Sequence, residues 1–382
     1  MQTTSKIFVS IFLICLLSAP IAVGQTPQPP TEAVTAMNAA LQALKESKWK
    51  QADESFDLVL MFAPKYAPAH IGKLCAELKL TEEKLLGNID PPVAIDEHRL
   101  FKAAIESADP AYKKQIQGYA DSINAKLKTM VASIPKDDRK ARERTTLTIK
   151  GVEYAFRWCP AGTFMMGSPQ NEANRRDSET QHQVILSRGF WMLETEVTQG
   201  MWASVMGNNP SSSKGIKLPV ECVSWDDCQE YIKKLNGMKV APAGFKFSLP
   251  TEAQWEYACR AGTTTAYSFG NTLSSEQANF GSETKDVGSY PANAWGLYDM
   301  HGNVWELCAD WYGEYPIGAV TDPMGADRGW NRVIRGGGKY SGYAHHCRSA
   351  LRDSNTFAGG REIVLAHMPG DRVGLRLSLV LQ

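Results

Sequence analysis

The stretch Leu249-Pro250-Thr251-Glu252-Ala253-Gln254-Trp255-Glu256-Tyr257 decides how the second half of this chain is read. Thr251 followed three residues later by Gln254 is a capping box, in which the two side chains satisfy open backbone N–H groups at a helix start. A second start stands upstream at Ser224-Trp225-Asp226-Asp227, with Ser224 as N-cap, acidic residues in the first turn and Gly237 just past the end. Around these two helices the chain is broken by glycine. Of its 31 glycines, 27 follow residue 150, as do nine of its ten tryptophans. Short segments joined by glycine turns describe a loop-rich α+β domain. Strands are expected at Phe156 to Cys159, Val184 to Ser187, Arg332 to Arg335 and Gly374 to Val380.

Upstream the pattern is different, and 382 residues suit two units. Lys6, the apolar run Ile7 to Val23 and the small-residue exit Ala22-Val23-Gly24 form a secretory signal over residues 1–24, implying export to the periplasm, cell surface or medium. The run is too short, and too interrupted by Pro20, for a membrane span. Ile14 before Cys15 argues against lipid attachment there. Residues 25–134 then read as helical. Ala36, Ala40, Leu41 and Leu44 share a face, and Trp49, Ala52, Phe56, Val59 and Leu60 continue on a second helix, with Pro64 beyond it. Further helical patterns run from Ala67 to Leu80, Asp96 to Ser107 and Pro110 to Met130. The small–large alternation is tetratricopeptide-like but covers fewer repeats than such arrays need. The segment is a candidate protein-docking surface or a spacer. A polar linker is expected over 135–151, and a second domain over 152–382.

Forty-one basic and 41 acidic residues balance, which gives no footprint for nucleic acid or an anionic membrane. Six cysteines (Cys159, Cys222, Cys228, Cys259, Cys308, Cys347) lie after residue 150. In an exported protein they favour disulfides, and no CxxC spacing supports zinc.

Several segments then fall in a telling order. Phe164-Met165-Met166-Gly167-Ser168 comes first, followed by Glu194-Thr195-Glu196-Val197-Thr198-Gln199 and Val223-Ser224-Trp225. Leu249 to Tyr257 is next, then Gly296-Leu297-Tyr298-Asp299-Met300 leading into Gly302-Asn303-Val304-Trp305-Glu306. Arg335-Gly336-Gly337 and Val373-Gly374-Leu375-Arg376 close the set. In this order they resemble the formylglycine-generating enzyme, or sulfatase-modifying factor, family. The resemblance implies a C-type-lectin-like core with little regular secondary structure.

The family's oxidases use copper and oxygen to convert a cysteine of a sulfatase-type peptide to formylglycine. Two thiolates shortly after Arg-Gly-Gly hold the copper, soft ligands suited to Cu(I). Here that stretch holds only Cys347; Ser341 stands where the first thiol belongs, and Gly338 replaces the usual serine. Copper is therefore not expected. The resemblance also implies a Cys259–Cys347 disulfide. It implies a calcium loop supplied by Asp299, Gly302, Val304 and Glu306, oxygen donors of the kind Ca²⁺ takes, and a second calcium site beginning at Asn279 and Phe280. The plain alternative has Asp299 and Glu306 bonding backbone amides in a tight loop. Trp305, Arg335 and Ser341 are candidate groove residues, with Trp191 and Trp311 as further aromatics. His345 and His346, on an extended strand, would point to opposite faces.

The leading expectation is an exported, non-oxidase binding or scaffolding module, meeting a protein or peptide through the helices or the groove. The alternative is a formylglycine-generating oxidoreductase, for which Cys308 with Cys347 is the nameable thiol pair. An iron-dependent relative is disfavoured because His70 and His98 stand far apart in the helical region.

Overall fold

The structure, a computed structural model, describes residues 29–89, 92, 95–96, 98–132, 137–316, 318–338, 343–355 and 373–382. The expected signal peptide and Ser341 lie outside them. No helix among the described residues is long and apolar enough to cross a membrane.

The first unit contains α1 (Thr31–Lys45), α2 (Trp49–Phe62), α3 (Ala67–Glu77), α4 (Arg99–Ser107) and α5 (Pro110–Ala132). Ala33, Ala36, Ala40, Ala43 and Leu44 of α1 are buried, as are Ala52, Phe56 and Val59 of α2. Leu41, expected on this face, is 40% exposed, because the buried stripe runs through Ala40, Ala43 and Leu44 instead. Small residues let the helices close around one aromatic ring. A Cβ on Gly72 of α3 would stand 2.2 Å from Cζ of Phe56, so the ring occupies a side chain's place.

The second unit follows in the order β1 (Arg144–Ile149), β2 (Val152–Cys159), β3 (Gly162–Met166), β4 (His182–Leu186), β5 (Phe190–Leu193), α6 (Gln199–Met206), α7 (Trp225–Gly237) and β6 (Phe245–Ser248). Then come α8 (Glu252–Arg260), β7 (Trp305–Trp311), β8 (Val320–Thr321), β9 (Arg332–Arg335), β10 (Asp353–Asn355), β11 (Val373–Leu375) and β12 (Ser378–Leu381). This is a mixed helix-and-sheet fold, as expected. The expected capping box forms between Thr251 and Gln254 on α8, and the Ser224 N-cap of α7 closes a second one with Asp227.

A five-stranded sheet has the order β1-β2-β5-β12-β6, a four-stranded one β10-β9-β7-β11, and a three-stranded one β3-β4-β8. Two expectations change here. The 135–151 stretch, read as linker, contributes β1, paired antiparallel with β2 from Arg144↔Arg157 to Ile149↔Val152. The single strand expected from Gly374 to Val380 is two, since β11 pairs parallel with β7 while β12 lies between β5 and β6. The chain changes sheet at Arg376, whose side chain is buried.

Buried ion pairs recur where regular structure is sparse. Arg335, Arg348, Arg352 and Arg376 are each at most 2% exposed. Their partners are Glu256, Glu179, Glu252 and Glu306 respectively. Such pairs tie distant segments in fixed geometry, and each must be fully hydrogen-bonded to offset its desolvation. The two units also share packing, because Ile185 of β4 and Ala319 beside β8 belong to the apolar cluster built by α1 to α5.

Candidate functional site

The loop entering β7 is forced into shape by its backbone. Gly302 has φ +101°, and a Cβ there would lie 2.2 Å from the carbonyl oxygen of Asn279. Asp299 and Asn303 also take left-handed conformations, φ 56° and 66°, which Asx residues tolerate best among those with side chains. The N–H of Gly302 donates to Gly336 O at 2.8 Å and that of Asn303 to Asn279 O at 2.7 Å. The loop is thereby pinned between the Arg-Gly-Gly segment and the segment at Asn279.

Three carboxyl groups converge behind it. Glu196, Asp299 and Glu306 are buried, and Arg376 is the guanidinium among them. Glu306 accepts from Arg376 Nη2 at 2.6 Å and from Trp255 Nε1 at 2.7 Å. Glu196 accepts from Asn303 Nδ2 at 2.9 Å and from the Val304 N–H at 3.1 Å. Asp299 accepts from the Gly288 N–H at 2.6 Å. Burial first, then the nearby Asp299 and Glu306 charges, raises Glu196 well above the carboxylate range. Burial raises Asp299 to about 6, against the Gly288 N–H and Arg376, which favour its ionised form. An additional cation at this place would relieve both.

At Asn279 the geometry is of another kind. Its side-chain amide donates to Glu283 O at 2.8 Å and Asn303 Oδ1 at 3.1 Å, while its oxygen accepts from the Gly281 N–H at 3.3 Å. The side chain clasps its own short loop, with Phe280 half-packed on the small cluster around Tyr267 and Cys347.

The Arg-Gly-Gly segment carries structural bonds. Arg335, expected to border a groove, is fully buried and donates to Ala350 O, Leu351 O, Ser349 O and Glu256. Both Nη atoms are turned inward, onto Glu256 and the carbonyls of Ser349, Ala350 and Leu351, so it lines no groove. Trp305 and Trp191 lie in the main core, and Gly338 packs on Trp305, where a Cβ would stand 3.0 Å from Cδ1. Trp311 is half-buried and lines a cavity.

The expected Cys259–Cys347 bond is not formed: both residues are free, fully buried thiols. Cys259 Sγ lies 3.7 Å from Ser349 Oγ and 3.6 Å from Met300 O, and Cys347 Sγ sits behind Gly337. Burial pushes both thiols up to about 12, and Cys259 is near enough to raise Cys347 further. Cys308, the other half of the alternative thiol pair, is also fully buried and lies in a different cluster from Cys347. His345 and His346 are not on a strand. They stand in a 3-10 turn, Ala344–Cys347, with ring centroids 4.3 Å apart. Opposite-face geometry belongs to extended chain, and a tight turn brings neighbouring rings together.

Glu196, Glu256 and Arg376 carry the site without standing out in the sequence, because a buried charge has no sequence mark apart from its partner.

Residues 151–377 match the family described as sulfatase-modifying factor enzyme 1-like domain. The chain is 52% identical over 95 residues to a serine/threonine-protein kinase, pkn1, of Chlamydia caviae, covering 23% of this chain and 15% of the kinase. It is 30% identical over 196 residues to the formylglycine-generating enzyme of Mus musculus, covering 46% of this chain and 49% of the enzyme. The chain thus spans about half, or much less, of these relatives' lengths. Among solved structures it is similar to Treponema denticola variable protein 1, with TM-score 0.53 and 29% identity over 62% of this chain and 98% of that one.

Proposed function

The chain belongs to the sulfatase-modifying factor family, and from that premise we propose an exported binding or scaffolding module that keeps the fold without the oxidase chemistry. One observation carries this reading: between Arg335 and Asn355 the only cysteine is Cys347, and it is fully buried with its thiol pushed up to about 12. A copper-binding pair needs two reachable thiolates. Cys308 cannot complete one, since its burial likewise holds it far above the thiol range. The match to relatives bearing names as different as a kinase and a formylglycine-generating enzyme agrees with a domain whose ligand varies with its setting. A protein or peptide partner would meet it through the helices or the domain surface.

Calcium is part of the proposal at Asp299, Gly302, Val304 and Glu306. The support is electrostatic, an excess of buried acid around the Arg376 guanidinium; among the described residues no three His, Cys, Asp or Glu side chains are grouped to hold an ion by themselves, so the Gly302 and Val304 carbonyls would have to complete the set. Bound calcium would supply positive charge and hold the loop's carboxylates and carbonyls together. The Asn279 loop closes on its own hydrogen bonds, and the proposal places no ion there. Export rests on the charged and apolar pattern of residues 1–24.

The decisive experiment incubates the purified chain with Cu(I), oxygen and a sulfatase-motif peptide, then weighs the peptide. An unchanged cysteine, beside an active relative as control, supports the module. Formylglycine in the product would establish the oxidoreductase reading instead.

A further inference from the structure

A cavity of about 530 Å³ opens between α8, the end of β7 and the loop through β8. It shares no lining residue with the acidic loop 299–306 or the segment 335–347. Its size falls within the range of small-ligand pockets, roughly 300 to 1,000 Å³. Met166, Trp311, Tyr315, Val320 and Met324 supply apolar and aromatic walls.

The polar groups on its walls are unequally spent. Arg352 uses Nε and Nη2 on Glu252 at 2.9 and 2.7 Å, and Nη1 on Gly313 O at 2.6 Å and Ser178 O at 3.4 Å. Tyr315 donates its hydroxyl to Glu252 at 2.9 Å. The donors of Arg352 and Tyr315 are therefore engaged, the Arg352 guanidinium lies 3.9 Å over the Tyr315 ring, and the charges of Glu252 and Arg352 cancel. Acceptors remain. Asp310, 3% exposed, takes the Glu252 N–H on Oδ2 at 2.8 Å and has no ion-pair partner among the described residues. His182, 4% exposed, has Nδ1 3.0 Å from Thr180 O, which makes Nδ1 the donor and Nε2 an acceptor with no partner among the described residues. Its ring packs on Tyr315 with centroids 4.7 Å apart. Glu314, exposed, adds a further negative charge to the lining. Arg332 stands behind the wall, its guanidinium stacked 3.4 Å from the Trp311 ring and 3.8 Å from that of Trp225, and the Asp310 charge acts on it.

A buried carboxylate and a buried imidazole acceptor, enclosed by aromatic rings, select a ligand that donates hydrogen bonds and carries positive charge. We propose that this cavity binds an organic cation, an ammonium group on an apolar body. The inference does not depend on whether the chain oxidises a peptide, so the two can fail separately.

The test is calorimetric titration of the full chain with 2-phenylethylammonium, neutral 2-phenylethanol and anionic phenylacetate. A blocked phenylalanyl-lysine amide is included to separate a free amine from a lysine side chain. Two variants accompany it. At about pH 8.5, above the range through which the buried Asp310 carboxyl loses its proton, Asp310→Asn removes a charge while keeping an acceptor for the α8 cap, and Met324→Lys places a cation on a lining residue that is 67% exposed, where folding is not at stake. The expected result is saturable binding of either ammonium probe, with the neutral and anionic probes, and both variants, weaker by at least about tenfold. Equal binding of all three phenyl probes, no ammonium binding at millimolar concentration, or unchanged binding in Met324→Lys would overturn it.

Discussion

Arg376 lays its guanidinium along the carboxylate of Glu306, Nη2 2.6 Å from Oε1 and Nε 2.9 Å from Oε2, with both side chains fully buried. The pair joins the end of β11 to β7 and neutralises one of three clustered acids. Replacing Arg376 by Leu strands Glu306, Glu196 and Asp299 without their counter-charge, and the expected loss is about 3–5 kcal/mol of stability. Urea unfolding measures it. Glu306→Gln, which keeps an acceptor for Trp255 and removes a charge, should cost less. A Leu variant as stable as the parent would mean the cluster is already protonated.

Calcium binding at Asp299 and Glu306 predicts a thermal midpoint that rises on adding the ion. At one hundred times the dissociation constant the gain is about 2.7 kcal/mol. Asp299→Asn should remove the calcium response while leaving the calcium-free midpoint nearly intact or higher, since Asp299 is held up to about 6 by burial. An identical response in the variant would place the ion elsewhere.

Asp310 gives a pH signature. Burial, followed by the charge of Glu252, raises its carboxyl from 3.8 to about 7, against the Glu252 N–H and Arg352, which favour ionisation. The folded chain therefore holds a proton that the unfolded chain has released across that window, and stability falls as pH rises through it. Asp310→Asn lacks this dependence. The difference between parent and variant unfolding midpoints should grow in the variant's favour from pH 4 to pH 7 and then level off. A difference flat with pH would show that Asp310 ionises normally.

In the helical segment, Gly72 faces the Phe56 ring at a distance that admits no Cβ. Gly72→Val should destabilise α1 to α3 by about 1–3 kcal/mol through overpacking. Trp49, the only tryptophan before residue 150, reports it by fluorescence. Gly118, with nothing within 4 Å of its Cβ position, is the control site: Gly118→Ala should be neutral or stabilising.

What the sequence disclosed was mostly local. Thr251 with Gln254, and Ser224 with its acidic first turn, announce helices because the bonds that make a cap lie within three residues. The spacing of Ala52, Phe56 and Val59 did the same for α2. The order of motifs around Gly302 and Arg335 pointed to the family. Errors came where distant contacts decide. Arg335 looked like a groove residue, yet Glu256 draws it inward from 79 positions away. Gly374 to Val380 reads as one strand, yet its halves pair in different sheets, with Arg376 between them held on Glu306. The cavity residues His182, Glu252, Asp310 and Arg352 come from β4, α8, β7 and the stretch just before β10, so no window of sequence holds them together. Leu41 was misplaced by one step of helical rotation, the finest error and the easiest to make.

Strand β8 is two residues long, and its surroundings tie separate parts of the molecule to one another. Ala319 is counted in the core of the helices, while Val320 lines the cavity on the other side and pairs with Val184. In this chain the matched family region is therefore not sealed off from the helices: Ile185 and Ala319 are buried in their cluster. A lineage that shed the helical segment would bare Ile185 and Ala319 to water, and selection would have to rewrite both. A pair of side chains on the sheet domain is thus enough to make its surface depend on the helices for cover.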